Sequence, residues 1–164
     1  ADPQLISSAF EEVTGQTLED VARERLLSPL GIEDFFWEKN VDGTPLGAHA
    51  LFLRPRDLAK LGLLVLRRGV WEGTRLVSED WIDQSTSTRT ASDSPDFGYG
   101  YYWWIVPELD AYAAWGHGGQ FIFVVPSQDL VISMTSLPSV DDDTVGTTLS
   151  RFLPLARLVS GSIR

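Results

Sequence analysis

Two apolar runs, Phe121-Ile122-Phe123-Val124-Val125 and Leu130-Val131-Ile132-Ser133-Met134, constrain the fold of this chain more than any other stretch. Only Pro126-Ser127-Gln128-Asp129, a turn sequence, stands between them, so they predict a hairpin whose strands expect burial on both faces. Directly ahead of the first run lies Trp115-Gly116-His117-Gly118-Gly119-Gln120. Gly118 and Gly119 let backbone approach another group closely, and the N–H donors flanking them can face an anion. His117 adds a titratable group beside those donors, an arrangement suited to one wall of an acyl-transfer site.

The remaining elements set the fold class. Asp2 and Pro3 open a helix with Ile6, Phe10 and Val13 at helical spacing, and Gly15 stops it. Thr17 caps a second helix with Leu18, Val21, Ala22 and Leu26 as its stripe; Pro29 and Gly31 end it. Residues 33–53 read as irregular, with Leu51-Phe52-Leu53 a short apolar run. A third helix starts at Pro55, carries Leu58, Leu61, Gly62 and Val65, and closes on Arg67-Arg68-Gly69, cations where the helix dipole favours them. Ser78 caps a fourth, with Trp81 and Ile82 expected to face inward. After a polar loop over 86–97, Phe97 to Val106 reads as one aromatic strand and Tyr112 to Trp115 as another. Past Asp141-Asp142-Asp143, a helix-start charge cluster, a final helix carries Val145, Leu149, Phe152 and Leu153, and Pro154 should kink or break it, leaving a short segment to Val159. Helices, then an antiparallel meander, then a packing helix make an α+β plan. Residues 1–164 read as a single partial domain, mainly helical over 1–96 and sheet plus C-terminal helix over 97–164.

Composition narrows the partners. A net charge of −10 argues against nucleic acid or an anionic membrane surface, both of which require clustered Lys and Arg. No apolar run approaches the ~20 residues of a membrane helix, so no membrane insertion is expected. No signal peptide is visible at Ala1-Asp2-Pro3-Gln4. The absence of cysteine removes disulfides, thiolate metal sites and a thiol nucleophile. Neither a metal nor a cofactor is expected; the carboxylates at 141–143 have no further ligand spaced to complete a shell.

An activated serine is missing as well. The only lysines are Lys39 and Lys60, preceded at three residues by Phe36 and Asp57, so Ser-x-x-Lys does not occur. The only asparagine, Asn40, follows Glu38 at two residues, which rules out Ser-x-Asn and Tyr-x-Asn. Nor is there a Gly-x-Ser-x-Gly elbow, so the His117 motif is not the oxyanion loop of an α/β-hydrolase. These residues carry part of a site.

Six segments bring a family into view. They are Val13-Thr14-Gly15-Gln16-Thr17-Leu18, Leu27-Ser28-Pro29-Leu30-Gly31-Ile32, Arg54-Pro55-Arg56-Asp57-Leu58-Ala59-Lys60-Leu61-Gly62, Val77-Ser78-Glu79-Asp80-Trp81-Ile82, Gly98-Tyr99-Gly100-Tyr101-Tyr102-Trp103-Trp104 and Gly116-His117-Gly118-Gly119-Gln120. In this order they resemble the C-terminal half of the β-lactamase-related serine hydrolases, a group that includes class C β-lactamases, penicillin-binding-type peptidases, esterases and aminohexanoate-oligomer hydrolases. The resemblance implies a β-lactamase/transpeptidase-like fold and an acyl-enzyme route. His117, Gly118 and Gly119 take the positions of the family's third motif, and the Gln120 N–H matches its second oxyanion donor. The family's serine–lysine and tyrosine motifs would precede Ala1, so the chain is expected to be a fragment, inactive alone, and to self-associate or require the missing N-terminal half. A periplasmic or secreted location, and a small-molecule or peptide-like substrate, follow from the resemblance only.

Plainer readings stand beside these. Gly118-Gly119 taken alone more often marks a bulge or turn, and His49 is structural or cleft-lining. Most of the 98–104 aromatics are expected in the sheet core, with Tyr102, Trp104 and also Trp115 as candidates to line a cleft. The alternative to an enzyme half is a non-catalytic binding or regulatory module that retains the half-fold.

Overall fold

The computed structural model describes residues 3–47, 49–91, 97–116, 119–136, 154, 156–159 and 161. The chain divides into two compact units, Ala1–Asp57 and Leu58–Arg164.

In the first unit, α1 (Pro3–Thr14) ends where Gly15 turns to φ 69° and donates its N–H to Glu11 O at 2.8 Å. Thr17 caps α2 (Leu18–Ala22), its hydroxyl accepting from Asp20 N at 3.0 Å. A π-helical turn over Arg23–Leu27 follows, and the residue it inserts brings Leu27 to the buried side with Leu30 and Ile32. The face expected of α1 is not the one it buries. Ile6 and Val13 are 53% and 85% exposed, and the buried residue is Ser7. Its hydroxyl donates to Pro45 O at 3.0 Å, while Gln4 donates to Pro45 O at 3.3 Å and accepts from Gly47 N at 3.1 Å. The physical cause is close backbone approach: a Cβ on Gly47 would lie 2.8 Å from Pro3 O and from Ser7 Cβ. Loop backbone laid on a helix needs polar partners, and Gln4 and Ser7 supply them. Residues 33–53 are also more regular than expected. β1 (Phe36–Trp37) pairs antiparallel with β2 (Leu51–Phe52), extended by a Lys39–Pro45 bridge. Strands of two residues carry no readable alternation.

Helix α3 (Pro55–Leu66) leads into the second unit and ends as Arg68 and Gly69 turn to φ 53° and 85°. A hairpin, β3 (Val70–Trp71) and β4 (Thr74–Arg75), turns on Glu72 and Gly73, both at positive φ as a tight hairpin turn requires. Ser78 caps α4 (Glu79–Ser85), accepting from Trp81 N at 3.2 Å. Arg68 links these pieces, bonding to Glu79 and to Asp83 (2.6 Å). Ile82 is buried as expected, but Trp81 is 50% exposed and stacks on Tyr101 at 5.3 Å.

Six strands then run as an antiparallel meander: β5 (Thr90–Ala91), β6 (Gly98–Tyr99), β7 (Trp104–Val106), β8 (Ala111–Gly116), β9 (Gln120–Val125) and β10 (Leu130–Met134), each beside the next. The aromatic run 97–106 is two strands rather than one. Gly98 pairs with Ile105 and Tyr99 with Trp104 across a turn in which Tyr102 adopts φ 64°. Gly100 allows that turn, since a Cβ there would meet Ser85 O at 2.0 Å, and Tyr101 N donates to the same oxygen at 3.0 Å.

Register sorts the side chains by face. Val106, Ala111, Ala113, Phe121, Phe123 and Val125 form one core, joined by Ala156 and by half-buried Trp115. On the opposite face Ile122 and Val131 meet Gly62 of α3, where a Cβ would lie 2.5 Å from Val131 Cγ1. The α+β plan and the β9–β10 hairpin are as expected. Pro154 and residues 156–159 are helical; Asp141 to Leu153, including the expected charge cluster and helix stripe, lie outside the described residues.

Candidate active site

The glycine segment links β8 to β9. Gly116 pairs with Gln120 as the last rung of that ladder. His117 and Gly118 lie outside the described residues. Gly119 is buried at φ 86°, a backbone conformation open to glycine and strained for other residues, and its N–H donates to Gly116 O at 3.3 Å. Gln120 begins β9 half-buried, and its side-chain amide donates to Ser136 O at 2.9 Å. The Ser136 hydroxyl in turn donates to Gly119 O at 3.3 Å.

Topology decides what shares this end of the sheet. In an antiparallel meander the end of β6, the start of β7, the end of β8, the start of β9 and the end of β10 lie together. The 100–103 turn, Gly119 and Ser136 therefore lie at one end of the sheet. Trp115 and Trp104 stand on the same face, stacked at 4.2 Å with an interplanar angle of 6°. Phe97 meets Trp115 edge-on at 5.8 Å, and Tyr99 meets Trp104 edge-on at 4.7 Å. Of the residues expected to line a cleft, Trp104 and Trp115 thus belong to one half-buried aromatic stack beside the core. Tyr102 shares this end of the sheet but not the stack, 57% exposed in the β6–β7 turn.

Two phenols of the sheet are shifted away from the phenolate form. Burial pushes the Tyr99 phenol up, with the Tyr102 hydroxyl adding to the effect, and burial likewise raises Tyr112. Both remain donors at neutral pH. His49 lies in the first unit, exposed, just ahead of β2, its N–H on Leu46 O at 3.3 Å. Among the described residues no group of three or more His, Asp or Glu is placed to hold a metal ion. Ser136 is the residue that sequence reasoning passed over. A lone serine past a strand end carries no pattern, and only its bonds to Gly119 and Gln120 mark it.

Known proteins give this geometry a setting. A protein from Bacillus anthracis named as a 6-aminohexanoate-dimer hydrolase superposes on 96% of the chain and 42% of its own length, with a TM-score of 0.78 at 21% identity. Simvastatin synthase from Aspergillus terreus matches 90% of the chain and 50% of its own, with a TM-score of 0.68 at 17% identity. A penicillin-binding protein homolog from Caulobacter crescentus matches 81% and 50%, with a TM-score of 0.65 at 16% identity. These likenesses show the β-lactamase/transpeptidase-like fold, and the chain spans about half the length of the structures it matches. The family model described as Beta-lactamase covers residues 2–149. The chain belongs to the β-lactamase family.

Proposed function

We propose that this chain is the C-terminal part of a serine hydrolase that cleaves an amide or ester bond through an acyl-enzyme. The substrate class spans β-lactams, peptides, linear amides and esters. The observation that carries the reading is the end of the β8–β9 ladder: a left-handed Gly119 opening onto Gln120 in a β-lactamase-family sheet, with His117 two residues earlier in the sequence. In this reading a serine from the rest of the protein attacks the carbonyl carbon. The new C–O bond forms as the carbonyl oxygen takes negative charge. The Gln120 N–H stabilises that charge, which a preorganised donor does better than water. The tetrahedral centre then expels the amine or alcohol with a proton, and water releases the acid. His117 assists proton transfer or stabilises charge.

The test uses the full-length protein. A fluorophosphonate probe should label one serine outside this chain, and His117→Ala should slow acylation about 10- to 1000-fold. Absence of labelling, or a wild-type rate in the variant, would count against the reading. A non-catalytic binding module is the second reading, favoured by the absence of any activated nucleophile among these residues. The coding sequence upstream of Ala1 separates the two: Ser-x-x-Lys followed by Tyr-x-Asn in one frame supports the enzyme.

A further inference from the structure

The β6–β7 hairpin turns on Tyr101 and Tyr102, and Gly100 N donates to Trp103 O at 2.7 Å across its base. The second turn residue is left-handed, a place ordinarily held by glycine or asparagine, yet Tyr102 fills it at φ 64°. A β-carbon in that conformation is strained. The first turn residue is fixed to its surroundings. Tyr101 N donates to Ser85 O at 3.0 Å, and its ring stacks on Trp81 at 5.3 Å with the Arg89 guanidinium 5.6 Å from its centroid. Tyr102 by contrast is 57% exposed, so burial does not account for the strain it carries. Strain held at an exposed side chain points to a use for that side chain.

Register places this ring relative to the glycine segment. Tyr99, Trp104, Ala113 and Phe123 form one rung across β6 to β9. Tyr102 lies two residues past that rung, level with Trp115, and the Gly116–Gln120 pair lies three past it. Sideways, the β6–β7 turn and the end of the β8–β9 ladder are two strand spacings apart, about 10 Å. A row of rings spans that interval: Trp115 stacks on Trp104 at 4.2 Å, and Trp104 meets Tyr99 at 4.7 Å. Such rings hold a planar apolar group by stacking or edge contact.

We infer that Tyr102 is a specificity-determining residue: it takes the far ring of an aryl-ended acyl chain whose carbonyl reacts at the Gly119 end of the sheet. This inference rests on the acyl-transfer reading and narrows its substrates to extended acyl groups.

The experiment measures kcat/KM of the full-length protein for p-nitrophenyl phenylbutyrate and p-nitrophenyl acetate, which share a leaving group. The wild type should prefer the phenylbutyrate. In Tyr102→Asn, which tolerates the left-handed backbone, that preference should fall about 10-fold, chiefly through KM, while Tm holds or rises as strain is relieved. Tyr102→Phe keeps the ring and should keep the preference. Should Tyr102→Asn fail to fold, Tyr102→Gly relieves the same strain and makes the same comparison. An unmoved preference in the folded variant would overturn the inference. So would a fall in Tm with equal losses on both esters, because Tyr102 would then be packed against the rest of the protein. Failure of the wild type to form an acyl-enzyme with either ester would bring down the acyl-transfer reading, and this inference with it. Normal acyl-enzyme formation with a preference indifferent to Tyr102 removes the inference alone.

Discussion

In the sheet-bearing unit, Phe121 to Val125 are all buried: Gly62 of α3 presses on Ile122 and Val131 from one face, and Ala156 joins the core on the other. The helical unit differs. There Leu5, Ile6, Val13, Phe36 and Phe52 are all more than half exposed, and α1 is anchored by polar bonds from Gln4 and Ser7 to loop backbone. Exposed apolar side chains that adjoin one another, as Phe36 and Phe52 do at 5.9 Å, mark surface that expects cover. We propose that the helical unit is where the rest of a longer protein would be felt. Because the chain spans about half the length of the structures it matches, we propose that cover to be the fold's other half.

The largest expected effect concerns activity. The isolated chain should hydrolyse neither nitrocefin nor p-nitrophenyl esters, because its sequence holds no Ser-x-x-Lys or Gly-x-Ser-x-Gly motif and no cysteine. Turnover that disappears when a serine of this chain is mutated would break the comparison at once. Next come the two surfaces. In the full-length protein, Phe123→Ala should cost about 3–5 kcal/mol by denaturant unfolding. Leu5→Ala, 69% exposed in this chain, should cost about 2 kcal/mol or more there if the other half covers it, as we propose. A loss within about 0.5 kcal/mol would show that α1 faces water in the intact protein too.

How much of this was legible in the sequence follows the same division. The β9–β10 hairpin, Gly62 and Val65 on the buried side of α3, and the caps at Thr17 and Ser78 came from periodic runs and cap chemistry, signals that are local and strong. The α1 face was misread because Gly47 brings loop backbone against Ser7, a distant contact that outweighs the Ile6–Phe10–Val13 spacing. The 97–106 run was misread because Gly100 admits a turn against Ser85 O, again a contact outside the run. At the site, Gly119 and Gln120 were visible through their pattern. Ser136 was invisible because a hydrogen bond between sequence-distant residues leaves no local trace.

Association sharpens the comparison further. Alone, the chain should self-associate at micromolar concentration, through edge pairing or apolar surface left without its cover. Light scattering reporting a compact monomer with cooperative unfolding would mean that the helical unit is stable as it stands.

The smallest expected effect contrasts two carboxylates. Burial pushes Glu19 up, but bonds from Lys39 and Arg23 outweigh it and hold the group below its ordinary 4.5. The Arg68 bond holds Glu79 below the same value. Both are lower in the folded state, so their contributions are present above about pH 4.5 and fade as pH falls through the depressed values. Glu19→Gln and Glu79→Gln should each flatten the acid limb of the Tm–pH curve. Added salt should erode the Glu79 contribution more, since its side chain is 50% exposed against 15% for Glu19. Equal salt sensitivity would show that the two pairs are solvated alike.

The central claim is that the β8–β9 turn supplies the oxyanion wall of a hydrolase assembled with residues outside this chain. The most direct measurement is the acylation rate of the full-length protein carrying Gly119→Val. Valine at φ 86° is strained and blocks close approach of the backbone, so acylation should slow at least about 100-fold while the folded state, read by circular dichroism, persists. Wild-type acylation in that variant would contradict the account and leave the turn as structure alone.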